Sequence, residues 1–366
     1  MPNSITNRQM FFILFLTLTA FTTIDISKVM AQCAGTGSWV TILIASVLFA
    51  LAAFLLVSLN NMFQGKVLFE YSHELVGRIG AYFIAIYYIQ YFLTVLVTLV
   101  LSMSSLLKVH FLHNTPVWAT TLAALPVFGF VAYKGVTNVA RLFEIYGAIF
   151  ISVVIVVHIT MLIQGNSGYV LPLFIPSETG RYLKAIKEVI FPFLGIEVLT
   201  IIPFTAKNGK KAAAQALITI MFIGLFYILV VESSIMMVGL NEIVHYNYPL
   251  ITAIRLVELP FLRIFQRIDV LYLTVGFIGL FAGLSIVYLN IVEYICRILP
   301  KARRIYIVLA VGLAAFVVSQ LIQVIKGIDE TLINVITLSG VLSAFLIPIT
   351  LLIIAKVKKY ANKEAA

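Results

Sequence analysis

Apolar stretches long enough to cross a bilayer recur from one end of this 366-residue chain to the other. A spanning helix needs about 20 predominantly apolar residues to cover roughly 30 Å of hydrocarbon. Segments near 8–33, 38–59, 80–107, 116–134, 138–163, 185–205, 212–239, 268–297, 304–325 and 331–355 meet that requirement. The expected fold class is an all-α polytopic membrane protein of about ten transmembrane helices. Only 11% of the residues are charged and 62% are hydrophobic. Soluble domains run near 25% charged, so too little polar surface exists to coat a water-facing globule. One integral membrane domain over 1–366 is therefore expected, made of a first five-helix half (1–163), a second (185–355) and a short tail (356–366).

The formal net charge is +10. The cations sit in short loops on alternate sides of the spans and form no basic stripe with interleaved aromatics, which excludes a nucleic-acid partner. One side collects Arg8, Lys66, Arg78, Lys134, Arg141, Lys207, Lys210, Lys211, the Arg297–Arg304 cluster and the tail lysines. The other collects Lys108, Arg181, Lys184, Lys187, Arg255, Arg263, Arg267 and Lys326. The first side carries roughly twice as many, which places both termini in the cytoplasm by the positive-inside rule. The two cysteines, Cys33 and Cys296, fall near opposite faces, too far apart for a disulfide. Membrane lipids are the surroundings this composition demands. No phosphate loop, nucleophile-elbow serine or metalloprotease helix is present, so the chain is expected not to be an enzyme, and no cofactor or metal is implied.

Two segments depart from plain aliphatic helices. In the first, Thr17, Thr19, Thr22 and Thr23 precede Asp25, Ser27 and Lys28. An ionisable group at mid-span costs about 2.5–3.5 kcal/mol on insertion scales and so faces a cavity or a partner. Asp25 and Lys28 are three apart and share a helical face, so they can neutralise each other or build a ligand site. In segment six, Phe191-Pro192-Phe193-Leu194-Gly195-Ile196-Glu197 combines a missing backbone donor with a residue free of a Cβ, and the helix is expected to break there. Freed amides and carbonyls are tolerated at that depth only where they line protein or water.

Segments one and six are the first helices of two halves of opposite topology. Interrupted helices at matching positions of inverted halves point to a midplane site. Half-helix N-termini attract a carboxylate and half-helix C-termini an ammonium or a metal cation, so a zwitterionic amino acid fits. The candidate site comprises Thr19, Ala20, Phe21, Thr22, Thr23, Asp25 and Lys28 from segment one and Phe193, Gly195, Ile196 and Glu197 from segment six, with Tyr91 and Ser285 as lining. Elsewhere, Glu293 is expected to pair with Arg297 at i,i+4, and His158 to be a satisfied core histidine. The 60–79 stretch is expected to hold an amphipathic interfacial helix, and 241–266 short capping helices.

Several stretches resemble spore germination proteins of the GerAB type. They are Thr6-Asn7-Arg8-Gln9-Met10-Phe11-Phe12, Met30-Ala31-Gln32 with Trp39, Leu68-Phe69-Glu70-Tyr71, Ala140-Arg141-Leu142-Phe143 and Phe193-Leu194-Gly195-Ile196-Glu197-Val198. Tyr248-Pro249-Leu250 with Arg255-Leu256-Val257-Glu258-Leu259-Pro260 extends the resemblance over nearly the whole chain. That family is similar to the amino acid–polyamine–organocation transporters, which implies a LeuT-like five-plus-five inverted repeat with broken helices one and six. The resemblance further implies a germinant receptor B subunit in the spore inner membrane. Such a subunit binds a small amino acid-like germinant and assembles with A and C subunits; an independent amino acid or cation-coupled transporter is the alternative. Relatives carry glycines in the first break, where this chain has Ala20, Thr22 and Ser27, so close approach of a ligand carboxylate is less assured here.

Overall fold

Long uninterrupted apolar runs become long helices, and the two interrupted segments become pairs of short ones. The computed structural model describes residues 5–203, 206–257, 268–325 and 327–358, and these form α-helices joined by short 3-10 and π turns. Segment one is α1 (Asn7–Thr22) and α2 (Ile26–Cys33). It is followed by α3 (Ser38–Met62), α4 (Leu68–His110), α5 (Val117–Tyr133) and α6 (Val136–Gln164). Next come α7 (Thr179–Phe193), α8 (Ala206–Val238) and the short α9 (Leu240–Ile243) and α10 (Pro249–Arg255). The chain continues through α11 (Ile268–Ile298), α12 (Arg304–Val324), α13 (Ile328–Val341) and α14 (Ile347–Val357).

Among the described residues, 7 helices are long and apolar enough to cross a membrane. Helix length and composition therefore do not establish the expected tally of ten. Segments one and six miss the criterion because they are broken, and α5 because it has 17 residues. Residues 359–366 of the expected tail lie outside the described set.

The core surrounds α1, which packs against α6, α8 and α11, while α3 runs along α8. On the outside, Ile163 is 78% and Val324 81% exposed. Fully burying one such side chain is worth about 1.5–3 kcal/mol in water, so a girdle of this kind belongs in lipid.

The amphipathic helix expected before segment three is present as the first part of α4. Gly77 (φ 77°, ψ 177°) separates residues 68–76 from the long remainder. The Glu70 carboxylate accepts the Val67 amide at 3.0 Å and so fixes the start. Leu68, Tyr71 and Leu75 are buried, so one face of this piece packs into the bundle. Next to it, Glu293 accepts from Arg297 at 2.6 Å and from Arg304 at 2.7 Å, and Arg304 also donates to the Ala132 carbonyl at 2.9 Å. This knot joins α5, α11 and α12.

The first turn of α7 closes over the end of α2. Arg181 donates to the Cys33 and Gln32 carbonyls at 2.9 and 3.1 Å, supplying partners that a helix terminus lacks. The expected short helices of 241–266 appear as α9 and α10, the stretch beyond 257 lying outside the described residues.

Candidate functional site

The first break falls at residues 23–25, between α1 and α2. Each threonine leading into it donates to the carbonyl four residues back: Thr17 to Ile13 at 2.6 Å, Thr19 to Phe15 at 2.7 Å, Thr22 to Leu18 at 2.6 Å and Thr23 to Thr19 at 3.0 Å. These hydroxyls have spent their proton on the helix and can offer a ligand acceptor lone pairs only. Ala20 and Phe21 belong to α1, but their side chains lie outside the described set.

Asp25 flanks α2 without capping it through its side chain. Lys28 does not close on Asp25; its Nζ donates to the Tyr246 carbonyl at 3.0 Å, tethering the α9–α10 connection to α2. Asp25 lines a cavity of about 220 Å³ together with Thr98, Ser102 and Ser105 of α4, Tyr248 and part of α13. Burial raises the Tyr248 phenol above its ordinary value, and the Asp25 charge adds to the rise. Thr98 is 9% exposed, and its hydroxyl has no partner among the described residues.

The second break follows Phe193. Gly195 takes φ 128°, a conformation side chains rarely adopt, and residues Ile196–Ile201 continue as a 3-10 turn. Partners from across the bundle meet the groups that the break frees. The Glu197 carboxylate accepts the Gly195 amide at 2.6 Å, and Thr200 donates to the Glu197 carbonyl at 2.7 Å. Asn60 donates to the Leu199 carbonyl at 3.0 Å and accepts from Tyr71 at 2.6 Å. Tyr294 donates to the Thr200 hydroxyl at 2.9 Å. This is how unwound backbone survives at depth in a bilayer.

Glu197 and Ile196 are fully buried. The other carboxylate oxygen of Glu197 lies 3.5 Å from the Ser343 hydroxyl, and Tyr91 brings its hydroxyl to the same pair. Ser343 belongs to a π turn, Leu342–Leu346, between α13 and α14. Single π turns of this kind concentrate at functional positions because they free helical carbonyls. Here Tyr88 donates to the Ser343 carbonyl at 2.7 Å.

The two breaks meet at Tyr227 of α8. Its hydroxyl lies 2.7 Å from the Leu18 carbonyl and 2.8 Å from that of Pro192, with the Thr22 hydroxyl 2.8 Å away. Phe193 stacks on Phe49 with ring centroids 5.4 Å apart and presents its edge to Tyr227 at 5.3 Å. Gly195 backs onto α1, where an added Cβ would lie 3.0 Å from Leu18 and 3.2 Å from Thr17.

The candidate residues thus fall into two groups. Gly195, Ile196, Glu197, Phe193, Tyr91 and Thr22 gather at the junction of the breaks; Asp25 opens into the separate α4-lined cavity, with Lys28 at its side. Ser285 is buried in α11 with no partner for its hydroxyl among the described residues. Sequence reasoning passed over Tyr227, Asn60, Ser343 and Thr98. His158 is a satisfied core histidine, 2.7 Å from Ser233 and 3.2 Å from Tyr272. No cluster of potential metal ligands occurs among the described residues.

A family model described as "Spore germination protein" matches residues 4–328. The chain belongs to that family. It is 24% identical over 250 residues to spore germination protein YndE of Bacillus subtilis (strain 168), spanning 68% of each chain. It is 25% identical over 197 residues to spore germination protein A2 of the same organism, covering 53% of this chain and 54% of that one. Solved structures share its fold. A substrate-bound, outward-open Na+-coupled sialic acid symporter superposes with a TM-score of 0.64 at 14% identity, covering 91% of this chain and 77% of the symporter. A mutant Eremococcus coleocola manganese transporter gives 0.59 at 16% identity, over 93% and 77%. The nucleobase-cation-symport-1 family transporter MHP1, closed on bromovinylhydantoin, gives 0.54 at 12% identity, over 94% and 80%. This spore germination family member therefore has the LeuT-type transporter fold, and the interruptions of segments one and six are part of it.

Proposed function

We propose that this chain is the ligand-sensing membrane subunit of a germinant receptor, binding a small molecule beside its two broken helices and passing the event to partner subunits. The observation that carries the reading is the junction at Tyr227, where both breaks share one hydroxyl in a chain of the spore germination family. A ligand that displaces that hydroxyl or shifts either break moves α1, α7 and α8 together. In this reading the chain sits in the spore inner membrane with both termini in the cytoplasm, and A-type and C-type subunits complete the receptor. The two five-helix halves, 1–163 and 185–355, are the inverted units that rock about the site.

The test is germination of spores whose response depends on this chain. Glu197→Gln is expected to shift the germinant dose–response curve at least tenfold while the protein still accumulates. An unchanged curve would remove Glu197 from sensing. A second reading, independent solute transport, draws on the likeness to a Na+-coupled symporter. Solute uptake by the purified chain alone in proteoliposomes would favour it over the receptor.

A further inference from the structure

We infer that the cavity beside Asp25 is a site for a compact organic cation, a primary amine carrying no carboxylate of its own. The inference rests on the ligand-sensing reading and names the chemistry of the molecule that one of its two polar clusters accepts.

The Asp25 charge and the acceptors around it point to the class. An alkylammonium group has three N–H donors and no acceptor, so it needs a wall of acceptors. The cavity offers the Asp25 carboxylate and the hydroxyls of Thr98, Ser102 and Ser105. Thr98 is the informative member, being buried with its hydroxyl unpartnered among the described residues. A buried hydroxyl left without a hydrogen bond is costly, and an incoming N–H fills its acceptor side and so lowers that cost. Tyr248 supplies an aromatic wall, of the kind that attracts cations. Leu106 and the apolar α13 residues leave room for a short hydrocarbon body.

Charge weighs against the zwitterion. A ligand carboxylate in about 220 Å³ would share the space with Asp25. No cationic side chain lines the cavity among the described residues, and Lys28 is held 3.0 Å from the Tyr246 carbonyl. Size argues against a bare alkali ion. A water occupies about 30 Å³ of liquid, so the space holds several waters and is far larger than a dehydrated ion requires.

The experiment is a binding titration on the full-length chain purified in detergent, read by calorimetry and thermal shift. The probes are n-butylamine, 1-butanol, 2-aminobutyrate, and sodium and potassium chloride at matched ionic strength. Butylammonium is expected to bind, with butanol and 2-aminobutyrate at least about tenfold weaker and the salts inert. Asp25→Asn is expected to lower butylammonium affinity at least about tenfold, since hydrogen bonds to charged groups exceed 1.4 kcal/mol. Thr98→Val, close to isosteric, should lower it several-fold without lowering the unliganded melting temperature, which keeps the test informative if Asp25→Asn folds poorly. Absence of butylamine binding, equal affinity in both variants, tighter binding of 2-aminobutyrate, or an equal response to salt would each overturn the inference. A germination response that survives Asp25→Asn but not Glu197→Gln would overturn it while leaving the sensing reading in place. A response that survives both would remove the sensing reading, with the titration still deciding what the cavity holds.

Discussion

Glu197 turns its carboxylate back onto the amide of Gly195, 2.6 Å away, so the most ligand-like side chain of the second break is also the clamp that holds the break open. The two roles separate by substitution. Glutamine keeps a carbonyl oxygen for the amide and loses the charge; alanine loses both. Glu197→Gln is therefore expected to unfold within about 1 kcal/mol of the parent, and Glu197→Ala to lose about 1–3 kcal/mol, the cost of orphaning a buried amide. Thermal unfolding in detergent measures the difference. Equal losses in the two variants would mean that the Gly195 contact contributes nothing to holding the break.

Tyr227 is the counterpart clamp between the breaks. Its phenol serves the Leu18 and Pro192 carbonyls from a helix 209 residues beyond Leu18 in sequence. Tyr227→Phe preserves the aromatic packing against Phe193 and removes the shared hydrogen bond. A stability loss of about 1–3 kcal/mol is expected. Faster amide exchange should accompany it, confined to residues around 18–23 and 192–197. A uniform change across the bundle would indicate a packing defect instead.

What the sequence revealed and what it hid divide along this same line. Pro192 and Gly195 announced the second break because their covalent structure restricts or frees the backbone, and that information is local. Asp25 and Lys28 stood out as ionisable groups at membrane depth, and Glu293 found Arg297 one turn away as the spacing required. Tyr227, Asn60 and Ser343 gave no such signal. They are ordinary residues in apolar segments, and each acts on a group more than 130 residues distant: Asn60 on Leu199, Tyr227 on Leu18 and Ser343 on Glu197. The threonines of segment one gave a partial signal. They read as ligand groups, and Thr19 and Thr23 in addition donate to their own helix, which leaves them only acceptor lone pairs to offer. The tally of spans was equally hidden, because a broken or 17-residue helix does not declare by length whether it crosses.

Gly195 sits at φ 128° with α1 directly behind it. Alanine there meets a double penalty, backbone strain of about 1–3 kcal/mol and a contact that forces Leu18 or Thr17 to shift. Gly195→Ala is expected to lower the melting temperature. It should also weaken the germination response more than Glu197→Gln does, because it moves both breaks. Retention of parental stability would mean that the turn relaxes to negative φ, and the close approach of the two broken helices would then be incidental.

Glu293 makes a contrasting case, because its interactions lie near the edge of the bundle. The carboxylate is shared by Arg297 and Arg304, and the three side chains are 12%, 23% and 30% exposed. Neutralising it leaves two guanidinium groups facing each other beside the Ala132 carbonyl. Partial exposure weakens each ion pair relative to a buried one, so Glu293→Gln is expected to cost about 1–3 kcal/mol. Repulsion between two partly solvated cations is screened by salt, with a Debye length of about 10 Å at 0.1 M and about 3 Å at 1 M. Raising the salt from low to molar concentration should therefore recover much of the loss in Glu293→Gln. It should recover little in Tyr227→Phe, where the broken contact is uncharged and buried. A Glu293→Gln deficit that ignores salt would show that the carboxylate acts by positioning Arg304 against the end of α5, and the additional change Arg304→Met should then reproduce the same loss without adding to it.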